Sequence, residues 1–340
     1  VADMVSAQHC RGGPKVAKEV AKAQQQVYAA VDRQICEWGI EHNSQGWRAD
    51  AYLYCVEVID PESGWRVPLA PSWVIGEKTH TIAKLIPDAA NRRYEIEIHE
   101  GVSAAAIKAA KAAGTVQNSR LVPPDGGPST PIEVLRRNLR LWENEDIVPR
   151  PDDIFQERLY CIRWVETYTD LDGKVRTRRH YRAPTQADLH REEYICQLLR
   201  DRFQGWQEKG YIPNLKIEPG YNTDQPIRER GWTYWHHLFS PRQLLLNSLY
   251  LEQIDVQLKT KTQKVACLLN AGRLADWNSK LCRWIADASK ENGAQTFSNQ
   301  ALNTLYNYYA RPLRLLETTI LYELKTTSLA GSGSVHTEDA

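Results

Sequence analysis

The sequence carries almost no net charge. Its 43 Lys and Arg face 42 Asp and Glu, leaving +1 at pH 7. Any basic surface must therefore be local, and the overall balance says nothing about nucleic acid. No run of about 18 apolar residues occurs, so no membrane span is expected, and no secretory signal is expected. There is no C-x-x-C pair. The seven cysteines are Cys10, Cys36, Cys55, Cys161, Cys196, Cys267 and Cys282. This odd, scattered set fits buried small hydrophobes in a reducing cytoplasm better than a disulfide framework. No phosphate loop is complete: Gly76-Glu77-Lys78-Thr79 has the tail of one, but Pro71 stands where its first glycine belongs. Methionine occurs once, at Met4, the first residue is Val1, and the last residues follow a Gly331-Ser332-Gly333-Ser334 hinge. These ends lead us to expect a segment of a longer protein.

What is present describes a packed chain. Hydrophobic residues make up 42% and charged residues 25% of its 340 residues, enough for two or three domains. Val16, Val20, Val27, Val31, Ile35 and Trp38 recur at helical spacing within 14–41. Residues 51–59 read as a strand. Residues 65–75 are extended but irregular because of Pro68 and Pro71, and 81–86 with 93–99 read as a hairpin. Ser103 and Gly114 bracket an Ala-rich helix, 115–131 reads as loop, and 132–142 as a short helix or arm. Residues 155–168 form an apolar strand that returns through a 170–173 turn as 174–182. Thr185 caps a helix running to about 209, with Asp188 at its third position. Ser240 with Pro241 opens another, and a last helix is expected over 298–326, kinked by Pro312. The expected fold is α+β, with a small antiparallel β region between long helical segments. The expected divisions are 1–46 (N-terminal helix), 47–183 (β-rich), 184–330 (helical) and 331–340 (a short strand).

Two turns, Asp60-Pro61-Glu62-Ser63-Gly64 and Pro123-Pro124-Asp125-Gly126-Gly127, hold the Pro and Gly of a C-P-x-C-G knuckle without any thiolate. Structural zinc takes four N or S ligands in a tetrahedron, so zinc is not expected here. The clearest candidate surface is the strand 174–182. Side chains alternate along a strand, which places Lys174, Arg176, Arg178, His180 and Arg182 on one face about 6–7 Å apart, close to the phosphate spacing of a nucleic-acid strand. Its partner strand adds Arg158 and Arg163. The competing reading is a solvated edge strand whose Lys and Arg block aggregation.

A second cluster runs from Trp232 through Trp235, His236 and His237 to Arg242 and Gln243. It reads as a buried aromatic patch or as stacking and hydrogen-bonding groups for an extruded base. A third holds Trp277, Asn278, Lys280, Cys282 and Arg283, with Gln300 beyond it. Cys282 would need a lowered pKa and a neighbouring base to act as a nucleophile, and the sequence marks no base.

Several stretches taken together resemble the large adenine-specific DNA methyltransferases that carry an internal zinc ribbon and often sit among anti-phage genes. They are Ala51-Tyr52-Leu53-Tyr54, Val67-Pro68-Leu69-Ala70-Pro71-Ser72-Trp73, Leu238-Phe239-Ser240-Pro241-Arg242-Gln243-Leu244-Leu245, residues Leu274 to Trp284, and residues Gln295 to Leu302. Singly each is weak; together they are fairly specific, and the resemblance spans nearly the whole chain. In that family a Gly-rich motif binds S-adenosylmethionine, a long insert follows, and an Asp-Pro-Pro-Tyr motif then grips the flipped adenine. The resemblance implies that this chain is the insert, with the two knuckles as a zinc ribbon that has lost its cysteines. It also implies double-stranded DNA and the remaining methyltransferase core as partners, and Asp339, on a closing strand from Val335, as the one contact to S-adenosylmethionine. Neither family motif is present, since Asp follows Pro123-Pro124, so the chain alone is not expected to methylate. The alternative is a non-catalytic scaffold or interaction module in a DNA-modification or defence system.

Overall fold

A computed structural model describes residues 2–298 and 301–321, with side chains from residue 16 onward. Asp339, the 331–334 hinge, Gln300 and the end of the helix expected to reach 326 lie outside the described residues. The chain opens with α1 (Ala2–Trp38), whose Val20, Val27, Val31 and Ile35 are buried at the spacing that identified it. Five strands follow: β1 (Arg48–Ile59), β2 (Arg66–Leu69), β3 (Val74–Gly76), β4 (Thr81–Asp88) and β5 (Arg93–His99). After α2 (Ala104–Ala112) come the short β6 (Val116–Gln117), β7 (Arg120–Leu121) and β8 (Thr130–Pro131), then α3 (Ile132–Leu135). The hairpin is β9 (Gln156–Thr169) with β10 (Val175–Arg182). The helices α4 (Gln186–Arg200), α5 (Phe203–Glu208), α6 (Asp224–Arg230), α7 (Pro241–Gln257) and α8 (Lys261–Trp277) lead to β11 (Trp284–Ala286), β12 (Glu291–Gly293), β13 (Asn307–Ala310) and α9 (Leu313–Ile320).

The fold is α+β, and the main sheet has eight strands in the order β10-β9-β1-β2-β5-β4-β3, with β13 also on β1. Every pairing in it is antiparallel except β2 with β5. β1 is central: β9 runs along one side, while β13 and β2 follow one another along the other. Its alternation then fixes two cores. Ala51, Leu53 and Cys55 pack with Trp73, Ile75, Tyr160, Tyr181 and Trp284, and Tyr52 and Tyr54 pack with Leu159, Ile162, Trp164 and Tyr308. A third core is mainly helical, joining α1 to α4, α5, α7, α8 and α9, with Ile40, Ile147, Ile212 and Leu258 added from loops. Core packing thus cuts across the segments drawn from the sequence: the N-terminal helix and the helices after 185 share one interior, and β13 crosses into the sheet.

Three local readings are corrected. The helix expected from 298 is a strand, β13, followed by the short α9, and Pro312 is the N-cap of α9 rather than a kink. Its aromatic and apolar residues fit either period, and burial of Tyr308, Tyr309 and Ala310 against β1 decides for strand. The 115–131 stretch forms the small sheet β6-β7-β8. Gly114 does not cap α2 by a left-handed turn; the C-cap is Ala113, and a Cβ on Gly114 would lie 2.1 Å from the Pro71 carbonyl oxygen. Close backbone approach, not φ, requires glycine there.

Candidate nucleic-acid interface

β10 is an edge strand, reached from the β9 end through a turn in which the Asp170 carboxylate accepts from the backbone N–H of Asp172 and Lys174. Lys174, Arg176, Arg178 and Arg182 are exposed, so four of the five expected members of the row face solvent. The fifth, His180, is only half-buried and stacks on Trp47 with ring centroids 4.3 Å apart. The arginines are not bare. Arg176 bonds Asp170 at 2.8 Å, Arg178 lies 3.8 Å from Glu166 and over the Tyr168 ring, and Arg182 pairs with Glu100. On the opposite face Arg179 reaches Asp50 at 2.9 Å. The row is therefore a string of surface ion pairs, each weak and screened by salt.

The other expected contacts fall elsewhere. Arg163 is buried, pairs with Asp50 at 2.8 Å and lies 4.8 Å over Trp284. Arg158 is half-buried between Glu57 and Glu95. Arg242 is buried on the Tyr52 ring, pairs with Glu192 at 2.5 Å and donates to the Ile40 carbonyl. Burial would lower its pKa, but Glu192, Tyr52 and Tyr54 raise it and keep the guanidinium charged. Gln243 closes a capping box on Ser240 at the start of α7 and donates to the Tyr309 carbonyl. Asn278 accepts from the Arg311 backbone N–H. Lys280, with no exposed side-chain surface, bonds Glu157 at 3.0 Å and lies over Trp142 and Trp232. Burial lowers its pKa and Glu157 opposes that. His236 is buried with its ring nitrogens 2.8 Å from the Pro213 carbonyl and 2.9 Å from that of Asn144; burial pulls its pKa down and the two carbonyls pull it up. Trp235 and Trp277 are half-buried, Trp277 beneath Arg311, and only Arg283 of this group is exposed. In this fold Arg163, His236, Arg242, Gln243, Asn278 and Lys280 therefore cannot touch a duplex. Arg242 and Gln243 join α7 to β1 and β13, Lys280 ties the segment after α8 to β9, and Arg163 links β9 to β1. The capping pattern Ser240-Pro241-Arg242-Gln243 already carried that signal.

Burial likewise pushes the Cys282 thiol up, against hydrogen bonds from Ser279 and Thr296, which disfavours the thiolate a nucleophile needs. At the first cysteine-free knuckle, the buried Asp60 carboxylate accepts from the Ser63 N–H and hydroxyl. It also accepts from Thr130 at 3.2 Å, so this turn is tied to the far end of the loop that carries the second. The knuckle glycines, Gly64 and Gly126, sit at φ +71° and +80°. Among the described residues no group of three or more His, Cys, Asp or Glu is placed to hold a metal ion, and no helix is long and apolar enough to cross a membrane.

Sequence reading missed one assembly. Arg120, Arg136, Arg137 and Arg228 converge on a single cleft. The adjacent arginines at 136–137 were its only local trace, because the others come from distant segments. Compared with protein-family models, curated proteins and solved structures, the chain matches none.

Proposed function

We propose that this chain is the DNA-engaging central region of an adenine-specific, amino-methylating DNA methyltransferase. Its partner would be double-stranded DNA, with S-adenosylmethionine and the catalytic residues held by the remaining methyltransferase core. The observation that carries the reading is the exposed row Arg176, Arg178 and Arg182 on one face of the edge strand β10, with exposed Lys174 just before it. Such a row suits phosphate contacts, which position a duplex without reading its sequence. The family resemblance supplies the rest, and Asp339 remains its candidate cofactor contact.

The test is fluorescence anisotropy of a labelled duplex titrated at two salt concentrations. Binding should weaken steeply with salt. The triple variant Arg176→Ala/Arg178→Ala/Arg182→Ala should bind more weakly and with a shallower salt dependence. Unchanged duplex affinity in that variant sinks the assignment.

A second reading, a non-catalytic scaffold or protein-interaction module, is favoured by the carboxylates of the row. Asp170, Glu166 and Glu100 already neutralise its arginines. The row would then guard the sheet edge. No duplex binding by the folded chain at low salt selects this reading.

A further inference from the structure

The cleft of about 840 Å³ between the β6–β7 turn, the corner from β8 into α3, and α6 has a different charge balance from the β10 edge. Four guanidinium groups line it, those of Arg120, Arg136, Arg137 and Arg228, against the carboxylates of Glu133 and Glu229. Glu229 is already engaged: Arg136 pairs with it at 3.1 Å and the Thr304 hydroxyl donates to it. Burial alone would raise the Glu229 pKa, but Thr304 and Arg136 hold it below the usual value, so it stays ionised, bonded to Arg136 and more loosely paired with Arg228.

Much of the remaining donor capacity is unspent. Arg137 is exposed and has no ion pair or hydrogen bond among the described residues. Arg228 makes two loose ion pairs, 3.6 Å from Glu229 and 3.8 Å from Asp224, both beyond hydrogen-bond length, so its N–H donors stay open although its charge is partly balanced. Arg120 bonds Ser129 through Nε and Nη2 only, and the buried Nε of Arg136 has no partner. An arginine offers five N–H donors in a planar fork that matches phosphate oxygens. The rim beside Arg120 is a tight turn with Asn118 and Ser119 at φ +49° and +58°, a backbone that favours glycine. Ser119 adds there a hydroxyl that glycine lacks.

We propose that this cleft binds phosphate esters, holding the linked phosphates of a single nucleic-acid strand against Arg120, Arg137 and Arg228. Its volume exceeds the needs of one phosphate. The site is separate from the β10 row. Phe155, just before β9, stacks on Arg230, and Arg230 stacks on Tyr306 of the cleft, whereas β10 pairs with the far half of β9 from Ile162 to Thr169. The proposal therefore does not depend on duplex binding at the edge. A free polyphosphate offers the same chemistry from another source.

The experiment titrates a labelled single-stranded oligonucleotide of about 12 nucleotides, enough to give several phosphate contacts, into the full chain. Inorganic tripolyphosphate serves as competitor. Arg137→Ala/Arg228→Ala should weaken oligonucleotide binding about tenfold or more and reduce the log–log salt slope by roughly 1.4, two single-strand phosphate contacts. Both side chains are exposed, and circular dichroism checks that the variant folds. The edge variant Arg176→Ala/Arg178→Ala/Arg182→Ala should leave this binding unchanged. Displacement by tripolyphosphate well below the concentration set by its ionic strength keeps the phosphate site and assigns it to a free polyphosphate. Three outcomes overturn the proposal: neither ligand binding at low salt, equal affinity in the cleft variant, or loss of binding only in the edge variant.

Discussion

Arg178 of β10 lies 3.8 Å from Glu166 with 60% of its side chain exposed, whereas Lys280 lies 3.0 Å from Glu157 with none exposed. Both are cations beside a carboxylate and an aromatic ring, yet they do different work. On the edge the pairs sit in water, where Coulomb energy is small and side-chain entropy opposes it. At the buried joints of the fold, Arg163 with Asp50 between β9 and β1, Lys280 with Glu157, and Arg242 with Glu192 between α7 and α4 are largely withdrawn from water and lie against Trp284, Trp232 and Tyr52. A buried pair is poor evidence of net stability, but removing one partner leaves the other charge uncompensated. Segments 238–245 and 274–284 supply two of these cations, Arg242 and Lys280.

The largest effect should come from the joint. Lys280→Met leaves the Glu157 carboxylate beside Trp142 and Trp232 with the Tyr308 hydroxyl but without its cation, and should cost roughly 3–5 kcal/mol, read as a lowered urea midpoint at unchanged slope. Adding Glu157→Gln should recover much of it, since the stranded charge is then gone. A cost below about 1 kcal/mol would erase the distinction between joint and edge.

Acid should find the joint next. Nδ1 of His237 accepts from the backbone N–H groups of Thr233 and Tyr234, and Nε2 donates to the Glu143 carbonyl at 3.0 Å. The neutral ring is fully satisfied. Burial, helped by His236 and Lys280, pulls its pKa down from 6.5 to about 2. The unfolded ring takes up a proton below about 6.5 while the folded one does not. Stability is therefore complete above that pH and falls as pH drops, by about 1.4 kcal/mol per unit. Between pH 6.5 and 5 the loss should be roughly 2 kcal/mol from this ring. Urea titrations at the two pH values measure it, and the NMR shifts of the His237 ring should not titrate across that window. A ring titrating near 6.5 would show that the joint is open to water.

The sequence made local structure legible and burial partners illegible. The β9–β10 hairpin, the β4–β5 hairpin and the caps Ser103, Thr185 and Ser240 all stand where propensity and capping chemistry put them. These depend on neighbours a few residues apart. The fate of Arg163 or Lys280 depends on Asp50 and Glu157, more than a hundred residues distant. Lys and Arg are almost never fully buried unless paired, so reading them as surface was the expected error. β13 failed for the same reason, because its identity is set by pairing with β1. The arginine cleft was hidden because its four members are drawn from three separated stretches.

A smaller effect should appear at the first knuckle. Asp60→Ala removes the acceptor for Ser63 and Thr130 and should cost about 1–2 kcal/mol. Asp60→Asn, which keeps one acceptor oxygen, should cost less. Adding zinc should leave the thermal midpoint of either protein unchanged. A zinc-dependent rise would contradict the hydrogen-bonded account of this turn.

The smallest stability change should come from the edge, and it bears most directly on function. Arg176→Ala, Arg178→Ala and Arg182→Ala each break a solvent-screened pair, so the urea midpoint should not move measurably at moderate salt. If duplex binding falls in the same variants, the row is used for contact, because nothing about the fold has changed. If instead the triple variant keeps its midpoint and its duplex affinity but aggregates through the exposed backbone of β10, the row acts as an edge guard. A midpoint drop comparable to that of Lys280→Met would remove the premise, since these pairs would then be buried in solution in a way their exposure here does not permit.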